Sequence, residues 1–181
     1  MGLLTLIQQQ TIKPISANWA NQAKVNGGVS NFVQLEIEVE QNEMSKLLGM
    51  ALLLDIQTNP TDAKYVDLLD GKTFENCLDQ TVKFYGIRYQ IAYMNFSEYI
   101  PTSQIADTFT GMVQKNRNET QPISQGTIKQ QQARVREIAL TDFEVMKVFL
   151  NENTDIYPLW NNGKTKKIYK PNFTTVKKTI R

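Results

Sequence analysis

A chain of 181 residues with no histidine and a single cysteine has few routes to covalent chemistry. Without imidazole, Ser-His-Asp and Cys-His nucleophiles, His-ligated metals and the commonest general base are all excluded. Cys77 has no second cysteine for an intramolecular disulfide or a Cys-x-x-Cys site and no histidine to activate it, so it reads as a buried or inert thiol of a reducing compartment. Asp67, Asp70, Glu75 and Asp79 have the oxygen chemistry that hard cations take, but their spacing matches no EF-hand loop, and acids at helix ends ordinarily cap or stay solvated. The glycines form neither Gly-x-Gly-x-x-Gly nor a phosphate loop. The chemistry on offer implies no enzyme, no metal and no cofactor.

Two groups could bind rather than react. Phe84, Tyr85, Tyr89, Tyr93, Phe96 and Tyr99 fall partly at helical spacing; such rings can stack single-stranded bases, but with no lysines interleaved the stripe reads better as core. The second group is the basic end. Lys164, Lys166, Lys167, Lys170, Lys177, Lys178 and Arg181 occur after residue 160 without an acid, leaving 13 of the 20 basic groups against all 18 acids in the rest of the chain. Such a segment suits an acidic protein surface, phosphate or plain solvation, and Ile168, Tyr169, Phe173 and Ile180 among the charges favour docking.

These groups need elements to position them. Residues 1–31 are polar and loop-like with anchors at Leu3, Leu4, Ile7, Ile12, Ile15 and Trp19, the pattern of an arm lying on a surface. The apolar start is too short for a signal peptide or membrane span, and Leu6 stands where a myristoylation motif wants Ser or Thr. From Phe32 to Glu40 the alternation of Val33, Leu35, Ile37 and Val39 with polar residues predicts a half-buried strand, unless the stretch leads straight into the next helix. Asn42 is a candidate N-cap for an apolar helix stopping at Asn59-Pro60, and a short helix over 63–69 ends at Asp70-Gly71. A hairpin or loop is expected between Lys72 and Tyr85, and a second helix from Gly86 to just before Pro101. Residues 101–123 form a long excursion, and a third helix runs from about Ser124 to Leu150. Tyr157-Pro158-Leu159-Trp160 breaks it. The expectation is a mainly α fold, a small bundle of three principal helices with short β elements and extended N- and C-terminal arms. It divides into an arm (1–31), a helical domain (32–160) with an inserted loop at about 101–123, and a basic arm (161–181).

Four runs then become recognisable in order and spacing: Tyr65 to Thr73, Phe84-Tyr85-Gly86-Ile87, Asp107 to Lys115, and Tyr157 to Trp160. Together, over about 40–160, they resemble the head-tail connector, or head-completion, proteins of tailed phages, in particular Bacteroidetes-infecting and crAss-like ones. Ile87 stands where the family has leucine. The resemblance implies a virion neck protein made in the host cytoplasm, a homo-oligomeric ring of twelve copies docked below the portal protein and contacting further neck or tail rings. Phage DNA would pass through its lumen without specific binding, and the family has no catalytic residues to transfer. The alternative is a DNA-binding packaging or regulatory factor using the basic tail.

The residues suit a ring independently. A ring subunit bonds to neighbours through a heterologous interface, which rewards arms and loops, and an acidic body would not hold passing phosphates. Phe109, Met112 and Val113 are too apolar for a solvated loop tip and should meet a neighbouring subunit or ring. Ile168, Tyr169, Phe173 and Ile180 should fill pockets on a partner. Leu48, Leu52, Ile91, Ile138 and Phe143 are the expected core.

Overall fold

The computed structural model describes residues 2–22, 29–103, 105–108, 111–114 and 124–160. Two short helices begin it, α1 (Leu6–Ile12) and α2 (Ala17–Asn21). Thr5 starts α1 with a capping box, its hydroxyl accepting from Gln8 N–H while the Gln8 side chain accepts from Thr5 N–H. The surface this arm lies on belongs to the same chain, since Leu3, Leu4, Ile15 and Ala20 are buried in the common core. It is helical for much of its course rather than extended, and Ile7, one of its expected anchors, faces solvent.

The stretch expected as a strand is helix α3 (Asn31–Val39), capped by Ser30. Its buried residues, Phe32, Leu35, Glu36 and Val39, stand at helical spacing, so the alternation that suggested a strand left Val33 and Ile37 on the outer side. What the alternation concealed is that a glutamate, Glu36, belongs to the inner face. The helix runs on through a π-helical turn (Glu40–Met44) into α4 (Ser45–Leu48), which places Asn42 inside a turn instead of at a cap. The chain breaks at Gly49, whose φ of 81° no other residue adopts without strain, and resumes as α5 (Met50–Thr58).

Helix α6 (Ala63–Asp70) ends at Gly71, as its sequence predicts, and a hairpin of β1 (Lys72–Glu75) and β2 (Thr81–Phe84) follows, Phe74 opposite Val82. Gly71 and Gly86 meet back to back: a Cβ on Gly86 would stand 2.5 Å from Gly71 N and 2.6 Å from Leu69 O. That close approach sets where α7 (Ile87–Ser103) leaves the hairpin. Helix α7 passes through Pro101 rather than stopping before it, because only its last turn loses a hydrogen bond there, where Thr102 Oγ donates to the carbonyls of Glu98 and Tyr99. Within the expected excursion, β3 (Ile105–Thr108) and β4 (Gly111–Gln114) pair antiparallel, Ala106 opposite Val113. Helix α8 (Gln125–Glu152), N-capped by Ser124, is the longest element.

The centre is α7 against α8, closed by α3, α5, α6 and the first hairpin. Leu48, Leu52, Ile91 and Phe143 are buried as expected, but Ile138 is 38% exposed. On α8 the inward stripe is Val135, Ala139, Phe143, Met146 and Leu150, and Ile138 sits one position off it, at the edge. After α8 the chain folds back, so Tyr157 O–H donates to Lys64 O and Trp160 Nε1–H to Asn151 Oδ1, locking the last described turn against α6 and α8.

Candidate functional site

The aromatic stripe splits in two. Phe84 alone is fully buried, against Phe74 and Phe149 at centroid distances of 6.1 and 5.3 Å. The other rings line the flank of α7, because its inward face is taken by Ile87, Ile91 and Met94. Tyr85, Tyr89 and Tyr93 stand four residues apart and stack in turn, at 4.9 and then 4.4 Å between centroids. Tyr85 is 51% exposed, so the expectation of a core stripe fails there, whereas Tyr93, Phe96 and Tyr99 are half-buried and pack against the core.

Lysines do reach these rings, from places the spacing along α7 could not show. Lys83 Nζ, on β2, lies 4.6 Å from the Tyr85 centroid, and Lys13 Nζ, just past α1, lies 5.3 Å from Tyr93 and 4.7 Å from Phe96. With their faces occupied by one another and by ammonium groups, the tyrosines offer edges and hydroxyls rather than free faces for bases to stack on. Burial, and then a hydrogen bond with Tyr93, holds the Tyr89 hydroxyl well above the usual tyrosine range. It stays protonated at any physiological pH.

Between this ladder and α8 lies an open groove of about 530 Å³. Lys83, Tyr85 and Tyr89 make one wall; Arg134, Ile138, Thr141 and Val145 make the other, with Glu137 at the rim. Asp142 closes the bottom. Its Oδ1 accepts from Tyr85 N–H at 2.8 Å and its Oδ2 from Gln90 Nε2–H at 2.9 Å, tying the start of α7 to the middle of α8. Burial raises the Asp142 carboxyl above its ordinary value, against the lowering effect of those bonds. Among the described residues, Gln90 Oε1 has no hydrogen-bond partner, so this floor is built around a carboxyl and an amide that are not fully matched.

The groove has an apolar bed, two cations and two acids, Glu137 and Asp142. Asp67 and Asp70 are engaged by Lys72 and Arg88, and among the described residues no group of three His, Cys, Asp or Glu could hold a metal ion. Cys77 is exposed rather than buried, and its N–H donates to Glu152 Oε1 at 2.8 Å.

Of the residues expected at interfaces, Met112 and Val113 stand on β4, while Phe109 lies outside the described residues. So do Ile168, Tyr169, Phe173 and Ile180, and Lys164, Lys166, Lys167, Lys170, Lys177, Lys178 and Arg181. The groove was missed because its walls come from β2, α7 and α8, distant in sequence. The one signal available was the i, i+4 spacing of Tyr85, Tyr89 and Tyr93.

Fold and groove together define a mainly helical domain with one hydrophobic core and an aromatic-walled groove on its surface. The chain belongs to the DUF6712 family, a family of unknown function, whose sequence profile matches residues 44–170. Both walls of the groove fall within that match; α1, α2 and α3 lie before it. No curated protein and no solved structure matches the chain.

Proposed function

We propose that this chain is a structural head-tail connector of a tailed phage, a ring subunit that docks below the portal and extends the DNA channel towards the tail. The reading places it in the virion neck, as twelve copies contacting portal and further neck or tail rings. The observation that carries it is the groove between α7 and α8: an apolar bed of Tyr85, Tyr89, Ile138 and Val145 flanked by Lys83 and Arg134, which no side chain among the described residues fills. A heterologous ring needs such a face on every copy, met by a different face of the next. The resemblance of residues 65–73, 84–87, 107–115 and 157–160 to connector proteins supports the same reading, and all four runs lie inside the family match.

The test is cryo-electron microscopy of virion necks containing the full chain, beside chain lacking residues 161–181. The full chain is expected as a closed ring under the portal, and the truncated chain as a folded subunit that does not join the neck. A full chain absent from particles would defeat the reading. Electrophoretic shifts with duplex DNA that weaken steeply with salt and vanish on truncation would favour the DNA-binding alternative.

A further inference from the structure

Two glutamates, Glu36 and Glu40, are buried on the inner face of α3 and its π-helical continuation. They stand four residues apart and accept from consecutive backbone amides near the start of the chain: Leu4 N–H donates to Glu36 Oε1 and Leu3 N–H to Glu40 Oε1, each at 2.7 Å. Gln57 Nε2, from α5, donates to Glu40 Oε2 at 2.7 Å. From α7, Arg88 Nε donates to Leu3 O at 3.2 Å while its Nη1 pairs with Asp70 of α6, so the Leu3 peptide is held at both polar ends. Leu3 and Leu4 put their side chains into the core, and Gly2 lies so close that a Cβ there would stand 2.1 Å from Glu36 Cδ. Among the described residues no lysine or arginine forms an ion pair with either glutamate; Glu43, in the same π turn, pairs outward with Arg136 of α8.

We propose that Glu36 and Glu40 form a proton-operated latch on the amino-terminal segment, firm over Gly2–Leu4 while a carboxyl carries a proton and looser once both are ionised. Two like charges buried side by side, with neutral amides as their donors, cannot both ionise without cost. A protonated carboxyl still accepts the same N–H bond. Burial pushes Glu36 from 4.5 up to about 7, and the neighbouring Glu40 charge adds to it; the amide bond to Leu4 and the positive amino terminus pull the other way. Burial likewise raises Glu40, against its bonds to Leu3 and Gln57 and the same positive amino terminus. The closed latch therefore binds protons more tightly than the open, solvated one. Its proton-linked stability is complete below about 4.5 and is lost as pH rises through about 7. From Glu36 alone the opening equilibrium should grow by up to about 300-fold across that window. The inference does not depend on what the chain assembles into.

Amide hydrogen exchange of the full chain, followed by NMR from pH 5 to 8 and corrected for intrinsic exchange, reads the latch directly. Protection at Leu3 and Leu4 should fall at least about tenfold while the α8 amides of Ala139 and Phe143 keep theirs. Glu36→Gln, a neutral mimic of the protonated group, should flatten most of that fall, and Gly2→Ala should lower protection at every pH. A flat wild-type profile, an equal fall in Glu36→Gln, or a parallel loss at Ala139 and Phe143 would overturn the latch. Should Glu36→Gln fail to fold, carbon-13 titration of wild-type side-chain carboxyls decides: a Glu36 midpoint near 7 supports the proposal, and midpoints near 4.5 for both glutamates refute it.

Discussion

Phe143 and Ile138 belong to one helix, five residues apart, and their surroundings differ completely. Phe143 is packed between α7 and the returning Trp160, at a ring-centroid distance of 6.3 Å from the latter, whereas Ile138 looks into the open groove. Both are large apolar side chains on an uninterrupted α8, so neither propensity nor hydropathy separates them. What separates them is angle about the helix axis: one turns to an element the chain itself supplies, the other to a space that nothing among the described residues fills. A subunit can thus be stable on one face of a helix and still present unused apolar surface on the other.

Truncations at these faces would break that contrast or sharpen it. The largest effect is expected in the closed core, where Phe143→Ala and Leu52→Ala should each cost about 2–5 kcal/mol in denaturant unfolding, since neither cavity can be filled from solvent. Wild-type stability in either variant would contradict the packing described. The groove floor comes next. Asp142→Ala strands the N–H of Tyr85 and the side chain of Gln90 and should cost about 1–3 kcal/mol.

Asp142→Asn should cost less than Asp142→Ala, because the new amide still accepts from Tyr85 and can donate to Gln90 Oε1. Burial holds the Asp142 carboxyl above its ordinary value, so the folded state keeps that proton more tightly than the unfolded chain. The resulting stabilisation is present below the ordinary aspartate range and is lost as pH rises through the raised value. Unfolding of Asp142→Asn beside wild type from pH 4 to 8 should therefore show the difference moving in the variant's favour as pH rises. A constant difference would mean that Asp142 is not desolvated. The smallest effect is expected at the open wall: Ile138→Ser should change monomer stability by no more than about 0.5 kcal/mol. In sedimentation velocity the same variant should weaken self-association, and a large loss of monomer stability would show that Ile138 belongs to the core after all.

Much of the fold was legible because its signals are local. Ser124 as a cap, the apolar repeat from Ile128 to Leu150, and Gly71 at the end of α6 each act within a turn or two, so the sequence alone determined α8, α6 and the first hairpin's place between Lys72 and Tyr85. Local signals also misled. In Phe32–Glu40 a period of two and a helical period both fit, and only packing against α7 and the amino-terminal segment decided for helix, with Glu36 inside. The groove and the latch lie beyond local reading for the same reason. Lys13 reaches Tyr93, Asp142 reaches Tyr85, and Leu3 reaches Glu40 across 80, 57 and 37 positions of chain. Residue type sets what each of these groups can do, but distance and burial, which only the tertiary structure supplies, decide whether a carboxyl is a solvated surface charge or a buried acceptor holding its proton near neutrality.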